Sequence, residues 1–341
     1  MKSFAIAKAS ILRPILNYLK HEGCSGSRYL NEVKLSETLV DSDAWIAKQQ
    51  LYDFLSLVAY REGCEEIGFA PFVAFELKQL GGIAKNLQSA TTLVEGLSLF
   101  SAWASRAFHG NSFWLEREGE WVWFCNRVLP QQHKGWDCAQ QGSVMLLFQL
   151  LRWGIGKEWR PQQIRMQPKE TVIMRRAEGL EDCRIQGNQP TNAIAFPAKL
   201  LSRSLAEPST RSTDSAHSTL EHKNLQSFHQ FGFRESLAKI VESRLFLGGL
   251  PTLQQVGKMI GLSPRTIKRR LRAEGVTYRF VLDQARLELA KVLLLDPQLT
   301  LGDVARELGY SGPNNFCRAF KRLTGVTPTK HRHLVHSPRY E

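Results

Sequence analysis

The stretch Thr252–Tyr278, TLQQVGKMIGLSPRTIKRRLRAEGVTY, recurs about 48 residues further on as Thr300–Pro328, TLGDVARELGYSGPNNFCRAFKRLTGVTP. Thr252/Thr300, Leu253/Leu301, Val256/Val304, Ile260/Leu308, Gly261/Gly309 and Ser263/Ser311 coincide. The second copy then carries one extra residue, after which Ile267/Phe316, Arg269/Arg318 and Leu271/Phe320 fall into step.

The spacing dictates a local fold. Thr252 caps a short helix whose Leu253, Val256 and Ile260 share one face. Gly261 supplies the positive φ of a sharp turn, and Leu262 fills the angle between helices. Ser263 then caps a second helix that opens on Pro264. Ile267 and Leu271 bind that helix to the first and leave Arg265, Thr266, Lys268, Arg269 and Arg272 outward. The second copy places Phe316 and Phe320 inward and Pro313, Asn314, Asn315, Arg318 and Lys321 outward. This is a helix-turn-helix layout, expected at about 252–273 and again at about 300–322, and its second helix suits the DNA major groove. A single copy reads equally well as an ordinary helical hairpin with a solvated face. Two copies with the same turn and the same outward arginine do not.

Between the copies, Tyr278–Leu295 is rich in Leu, Ala and Val and is closed by Asp296-Pro297. As a linker helix it would span roughly 27 Å. That length holds two recognition helices about one DNA turn apart, on about 20 base pairs.

The charge lies in the same place. The chain of 341 residues carries a formal +13, and Pro251–Glu341, with 16 Lys and Arg against 7 Asp and Glu, holds +9 of it. A basic module attached to a near-neutral one is the footprint of a nucleic-acid-binding domain, here with double-stranded DNA as partner. Working backwards, Ser202–Asn224 (SRSLAEPSTRSTDSAHSTLEHKN) lacks helical periodicity and reads as a flexible linker over 202–224. Leu225–Leu247 resumes helical spacing and stops at Gly248-Gly249. The division is therefore 1–201, an α+β regulatory domain, and 225–341, an all-α DNA-binding domain with two helix-turn-helix units joined by a linker helix.

In the front domain, helical spacing runs through residues 10–60, Thr91–Phe108 and Val144–Trp153. Asn111–Val128 alternates around Glu118-Gly119 as a β-hairpin, and Arg165–Met174 and Cys183–Phe196 contain strand-like runs. Trp103, Phe113, Trp114, Trp121, Trp123, Trp136 and Trp153 fit core packing better than an aromatic-lined pocket, and Arg106, His109 and His133 are the groups suited to an anionic effector.

The composition also excludes. No run approaches about 18 apolar residues, so no membrane span is expected, and Lys8, Arg13 and Asn17 interrupt any secretory signal. The cytoplasm is the expected location. The six cysteines form no CxxC pair, so neither a zinc ribbon, a disulfide framework nor a cofactor is expected. His331 and His333, without a third ligand, read as a solvated tail.

LSPRTIKRRLRAEG at the first unit, Arg286 with Ala290 and Leu293-Leu294 at the centre, and LGYSGPNNFCRAFKRLTGVTPTKHR at the second resemble an AraC/XylS-type transcriptional regulator over about 230–335. One departure is His331, where that family more often has an aromatic residue. The resemblance implies base reading by Arg265 and Arg269, and by Pro313, Asn314, Asn315 and Arg318. Arg pairs bidentately with guanine and Asn with adenine, whereas Pro313 offers only apolar contact. Arg269 and Arg318 are equally able to hold phosphates, and Lys268, Arg272, Lys321 and Arg322 are assigned to phosphates. Residues 10–200 resemble a ligand-binding domain of the type named for arabinose, supported by the early helices, Leu93–Phe100 and CRIQGNQPTNAIAFPAKLL at 183–201. The resemblance further implies a small-molecule effector, RNA polymerase as a partner and a homodimer. The alternative is control by a protein partner or by abundance, without a small ligand; a thermal-shift screen with metabolites separates the two. An alkylation-repair enzyme built on the same DNA-binding unit is disfavoured, because it needs clustered N-terminal cysteines and Cys24 and Cys64 stand 40 residues apart. No G-x-S-x-G, P-loop or HExxH appears.

Overall fold

The computed structural model describes residues 4–73, 75, 87, 89–129, 133–169, 174–175, 177–205 and 231–336. The chain forms two compact units, one of Ala5–Asp43 and Gln50–Gln230, the other of Met1–Phe4, Ala44–Gln49 and Phe231–Glu341. Among the described residues no helix is long and apolar enough to cross a membrane.

The first unit begins with four helices: α1 (Arg13–His21), α2 (Gly26–Glu32), α3 (Glu37–Asp41) and α4 (Lys48–Glu62). Helix α5 (Leu93–Ala107) starts where Thr92 accepts from the Glu95 N–H and Glu95 accepts from the Thr91 N–H and hydroxyl. The expected hairpin is present as β1 (Asn111–Glu118) and β2 (Trp121–Val128), turning at Gly119 with φ +62°. Helix α6 (Lys134–Ile155) is twice as long as its apolar spacing suggests. Its first half turns Gln140 and Gln141 inward, which hides the helical period from a hydrophobicity reading. Strands β3 (Gln163–Arg165), β4 (Arg184–Gln186) and β5 (Asn192–Pro197) complete a sheet of order β1-β2-β5-β3-β4. All its pairings are antiparallel except β3 with β4.

One face of the sheet carries Phe113, Val122, Phe124 and Ile194, all buried, with Phe100 of α5 edge-on to Phe113 at 5.5 Å. Asn126 and Asn192 are partners across β2 and β5 and are wholly buried there. The Asn192 Nδ2 donates to Gln140 Oε1 of α6 (2.9 Å) and to Asn126 Oδ1 (3.3 Å), while its Oδ1 accepts from the Gln167 N–H (2.8 Å). Replacing one member of such a network strands the others without water. Asn192→Leu should therefore lower stability by about 2–3 kcal/mol, read as a shift in urea midpoint; an unchanged midpoint would show the network to be dispensable. Helix α6 also passes so close to α4 that a Cβ on Gly135 would lie 1.9 Å from the Tyr52 carbonyl oxygen.

The opposite face collects Trp114, Trp121, Trp123 and Cys125 around Ala193 and Ala195. Arg165 lies over the Trp123 ring at 3.7 Å and pairs with Glu118, which also accepts the Trp123 indole N–H at 2.7 Å. The aromatic residues thus divide between the two faces of the sheet, and on this second face Trp123 is buried while Trp114 and Trp121 are half-buried. His133 has a structural duty: its Nδ1 accepts from the Gly135 N–H at the start of α6, which leaves Nε2 as the donor to Asp53 at 2.9 Å. Arg106 donates to the Ala102 carbonyl, and His109 is buried.

Most of the expected linker, 206–224, and the start of the expected helix, 225–230, lie outside the described residues. Its first residues depart from the expectation of a free tether. The Arg203 carbonyl accepts from the Leu93 N–H at 3.0 Å, and the Leu205 N–H donates to the Thr91 carbonyl at 2.9 Å. Backbone pairing of this kind leaves no signature in composition.

The second unit is helical. Helix α7 (Phe233–Phe246) buries Phe233, Leu237, Ile240, Val241 and Leu245. The Trp45 N–H donates to Ser243 Oγ of α7 at 2.9 Å, and its ring meets Phe231 edge-on at 5.6 Å. The two helix-turn-helix units follow as α8 (Leu253–Ile260) and α9 (Pro264–Ala273), then α11 (Leu301–Glu307) and α12 (Pro313–Thr324). Between them runs α10 (Tyr278–Leu293), which packs along α7, and α13 (Pro328–His336) closes the unit.

Candidate nucleic-acid interface

Each recognition helix is held by apolar side chains on one side and leaves its polar side open. In the first unit, Thr252 and Gln255 form a reciprocal cap on α8 (3.2 and 2.7 Å). Gly261 ends α8 with φ +67°, in the left-handed region where a side chain is strained. Ser263 accepts from the Thr266 N–H at 3.2 Å and so caps α9, which opens on Pro264. Ile267 and Leu271 have no exposed surface. Arg265, Lys268, Arg269 and Arg272 are all exposed along one side of α9. Spaced i, i+3, i+4 and i+7, they line a stripe about 10 Å long.

The second unit is built around Phe316 and Phe320, whose rings are 5.7 Å apart and which pack with Leu287, Ala290, Leu294, Val304, Ala305 and Leu308. Pro313, Asn314, Asn315, Arg318, Lys321 and Arg322 are exposed on α12. The extra residue alters the start of this helix. Gly312 stands at the cap position, so Ser311 is not the cap as Ser263 is, and its hydroxyl accepts from Asn315 Nδ2 at 2.6 Å. Asn315 Oδ1 in turn accepts from Arg318 Nη2 at 2.5 Å. Arg322 donates to Asp283 of the linker helix at 3.0 Å.

Three groups that brace this surface were not legible as such. Arg286 on α10 donates to the Leu308 and Gly309 carbonyls at the second turn (3.1 and 3.3 Å) and lies over the Tyr310 ring at 4.6 Å. Asp283, one turn earlier, sits 4.0 Å from Arg286 and holds Arg322 from the same helix. Arg332 on α13 donates to the Leu294 and Leu299 carbonyls (3.2 and 2.8 Å), placing a cation at the C-terminal end of α10. The Asp283/Arg286 spacing was the available signal. His331 is not part of a solvated tail: it belongs to α13 and meets Phe320 edge-on at 5.4 Å, filling an aromatic position, while His333 on the same helix is exposed. Burial also pushes the Tyr278 hydroxyl up to about 12, and that hydroxyl donates to the Pro251 carbonyl at 2.6 Å, tying the linker helix to the strand of chain before α8. Among the described residues no group of three His, Cys, Asp or Glu is placed to hold a metal ion.

The sequence has counterparts among known proteins. Residues 256–333 match a family described as a helix-turn-helix domain. Residues 23–205 match the arabinose-binding N-terminal domain of AraC transcription regulators. The HTH-type transcriptional regulator VqsM of Pseudomonas aeruginosa is 33% identical over 145 residues, 42% of this chain and 44% of that protein. The ornithine utilization regulator of the same organism is 25% identical over 194 residues, 57% of each. The chain therefore spans less than two thirds of the length of these curated relatives. The crystal structure of the transcriptional regulator CdpR from Pseudomonas aeruginosa aligns over 95% of this chain and 98% of that one, at 20% identity and a TM-score of 0.40. With one match across both helix-turn-helix units and another across more than half of its length, the chain belongs to the AraC-type transcriptional regulators, which are not enzymes.

Proposed function

We propose that the chain reads a specific duplex sequence through α9 and α12 in two successive major-groove segments, under the control of a small-molecule effector bound by its front unit. The observation that carries this reading is the duplication itself: two helices, each anchored by buried residues at matched positions, each presenting exposed arginine beside further cations. Arg265, Arg269, Asn314 and Arg318 are the base readers, with Pro313 at the groove edge and Asn315 beside them. Lys268, Arg272, Lys321 and Arg322 hold phosphates. Arg322 does so with one side of its guanidinium fixed by Asp283. The effector reading rests on the ligand-binding description of the matched front domain. A homodimer on paired sites and contact with RNA polymerase complete the proposal.

The test is direct. Arg269→Ala or Arg318→Ala should cost about 1–3 kcal/mol on the preferred site and much less on random DNA. Equal losses on both would assign these arginines to phosphates instead. Titrated competition on the two DNAs at fixed salt reads the difference.

A further inference from the structure

We propose that Asn315 is a positioning residue that aims Arg318 at its base, and that Asn315 does not itself read adenine. The inference rests on the base-reading role proposed for α12. Bidentate reading of adenine needs both ends of an asparagine amide, the oxygen for the N6 amine and the nitrogen for N7. Each end of Asn315 already holds one partner along the helix, so Ser311 and Arg318 set the direction of the amide before any base is met. Its Nδ2 donates to Ser311 Oγ at 2.6 Å and its Oδ1 accepts from Arg318 Nη2 at 2.5 Å. Arg318, with five N–H donors, keeps a free pair for guanine O6 and N7 after giving one to Asn315.

The relay depends on the residue inserted in the second copy. In the first unit Ser263 is itself the helix cap, and its hydroxyl is taken up by the Thr266 N–H and the Thr266 hydroxyl (3.2 and 2.9 Å). Thr266 aligns with Asn315 and Arg269 with Arg318. Among the described residues Arg269 has no hydrogen bond or ion pair. In the second unit Gly312 has taken the cap position, which releases the Ser311 hydroxyl to hold Asn315. One arginine is thus tethered before it meets DNA and its counterpart is not. A long exposed side chain loses rotamer freedom on docking against a base, and a tether made in the free protein reduces that loss. The tether is exposed and weak in water, but it matters at the contact, where water is excluded and a misplaced guanidinium leaves polar base edges unpaired.

The experiment is selection of binding sites from a randomised duplex pool by the full chain, with preference scored at each base position. Arg318→Ala identifies the guanine in question as the position whose preference falls about tenfold. Asn315→Ala should weaken preference at that same guanine by about threefold, the scale of one net hydrogen bond, and at no adenine. Asn315→Asp separates the two roles. It keeps an acceptor for Arg318 but has no N–H for adenine, so it should restore the guanine preference even if its negative charge lowers overall affinity. Loss of an adenine preference in both Asn315 variants, with the guanine preference as in the parent chain, overturns the proposal. If the parent chain enriches no sequence at all, the base-reading function beneath it fails first, a result distinct from either outcome. Binding to random DNA, measured alongside, reports that the variants remain folded.

Discussion

Raising salt from 50 to 200 mM should weaken binding of the full chain to its duplex site by about 10²–10³-fold. The figure follows from counterion release, in which log affinity falls with log salt at a slope near −0.9 for each phosphate neutralised. The proposed phosphate contacts of Lys268, Arg272, Lys321 and Arg322 would number four, and arginines that hold phosphate rather than bases would add to them. All four are exposed on α9 and α12. Slopes near −4 to −5 over a fourfold change in salt give the stated loss. Lys321→Ala should then flatten the slope by about 1, whatever the DNA sequence. Electrophoretic or fluorescence titrations at four salt concentrations measure both. A flat response would remove the electrostatic argument that links the +9 charge of Pro251–Glu341 to DNA.

The second large effect is on the fold that carries the interface. Phe316→Ala should destabilise the DNA-binding unit by about 3–5 kcal/mol, the range for deleting a buried aromatic ring. Phe316 is 1% exposed and touches Tyr310 and Phe320 at ring separations of 5.8 and 5.7 Å. Its loss opens a cavity between α10, α11 and α12, and the recognition helix then has no fixed floor. Thermal or urea unfolding followed by circular dichroism should show an earlier transition, and DNA binding at 25 °C should fall with it. A variant with unchanged midpoint but lost binding would instead place Phe316 in the DNA contact.

The DNA-binding half was largely legible in the sequence because its rules are local. Val256, Ile260, Ile267 and Leu271 fall at helical spacing, Gly261 must turn, and Thr252 and Ser263 cap; each of these acts within a few residues. What remained hidden acts through the backbone of distant elements. Arg286 and Arg332 donate to carbonyl oxygens, which every residue has, so no pairing of side-chain types announces them. The tether of Arg318 arose from a one-residue insertion that moved the cap from Ser311 to Gly312, a shift visible only once the two helix starts are compared in space. In the front unit, the hairpin was readable from alternation and α5 from the helical spacing of Thr91–Phe108. The first half of α6 was not, because Gln140 is buried with a hydrogen bond to Asn192 and Gln141 is buried beside it, so neither adds to an apolar stripe. Nor was the sheet order, in which β5 lies between β2 and β3: strand adjacency of that kind depends on long-range pairing, not on local pattern.

Two equivalent helices of one chain, each seated in its own major groove, should mark a duplex twice. Hydroxyl-radical footprinting of the full chain on a site recovered by selection tests it most directly. Two protected blocks about 10 base pairs apart, on one face of a site of about 20 base pairs, are the predicted result. A single protected block, or protection that does not depend on sequence, would contradict it.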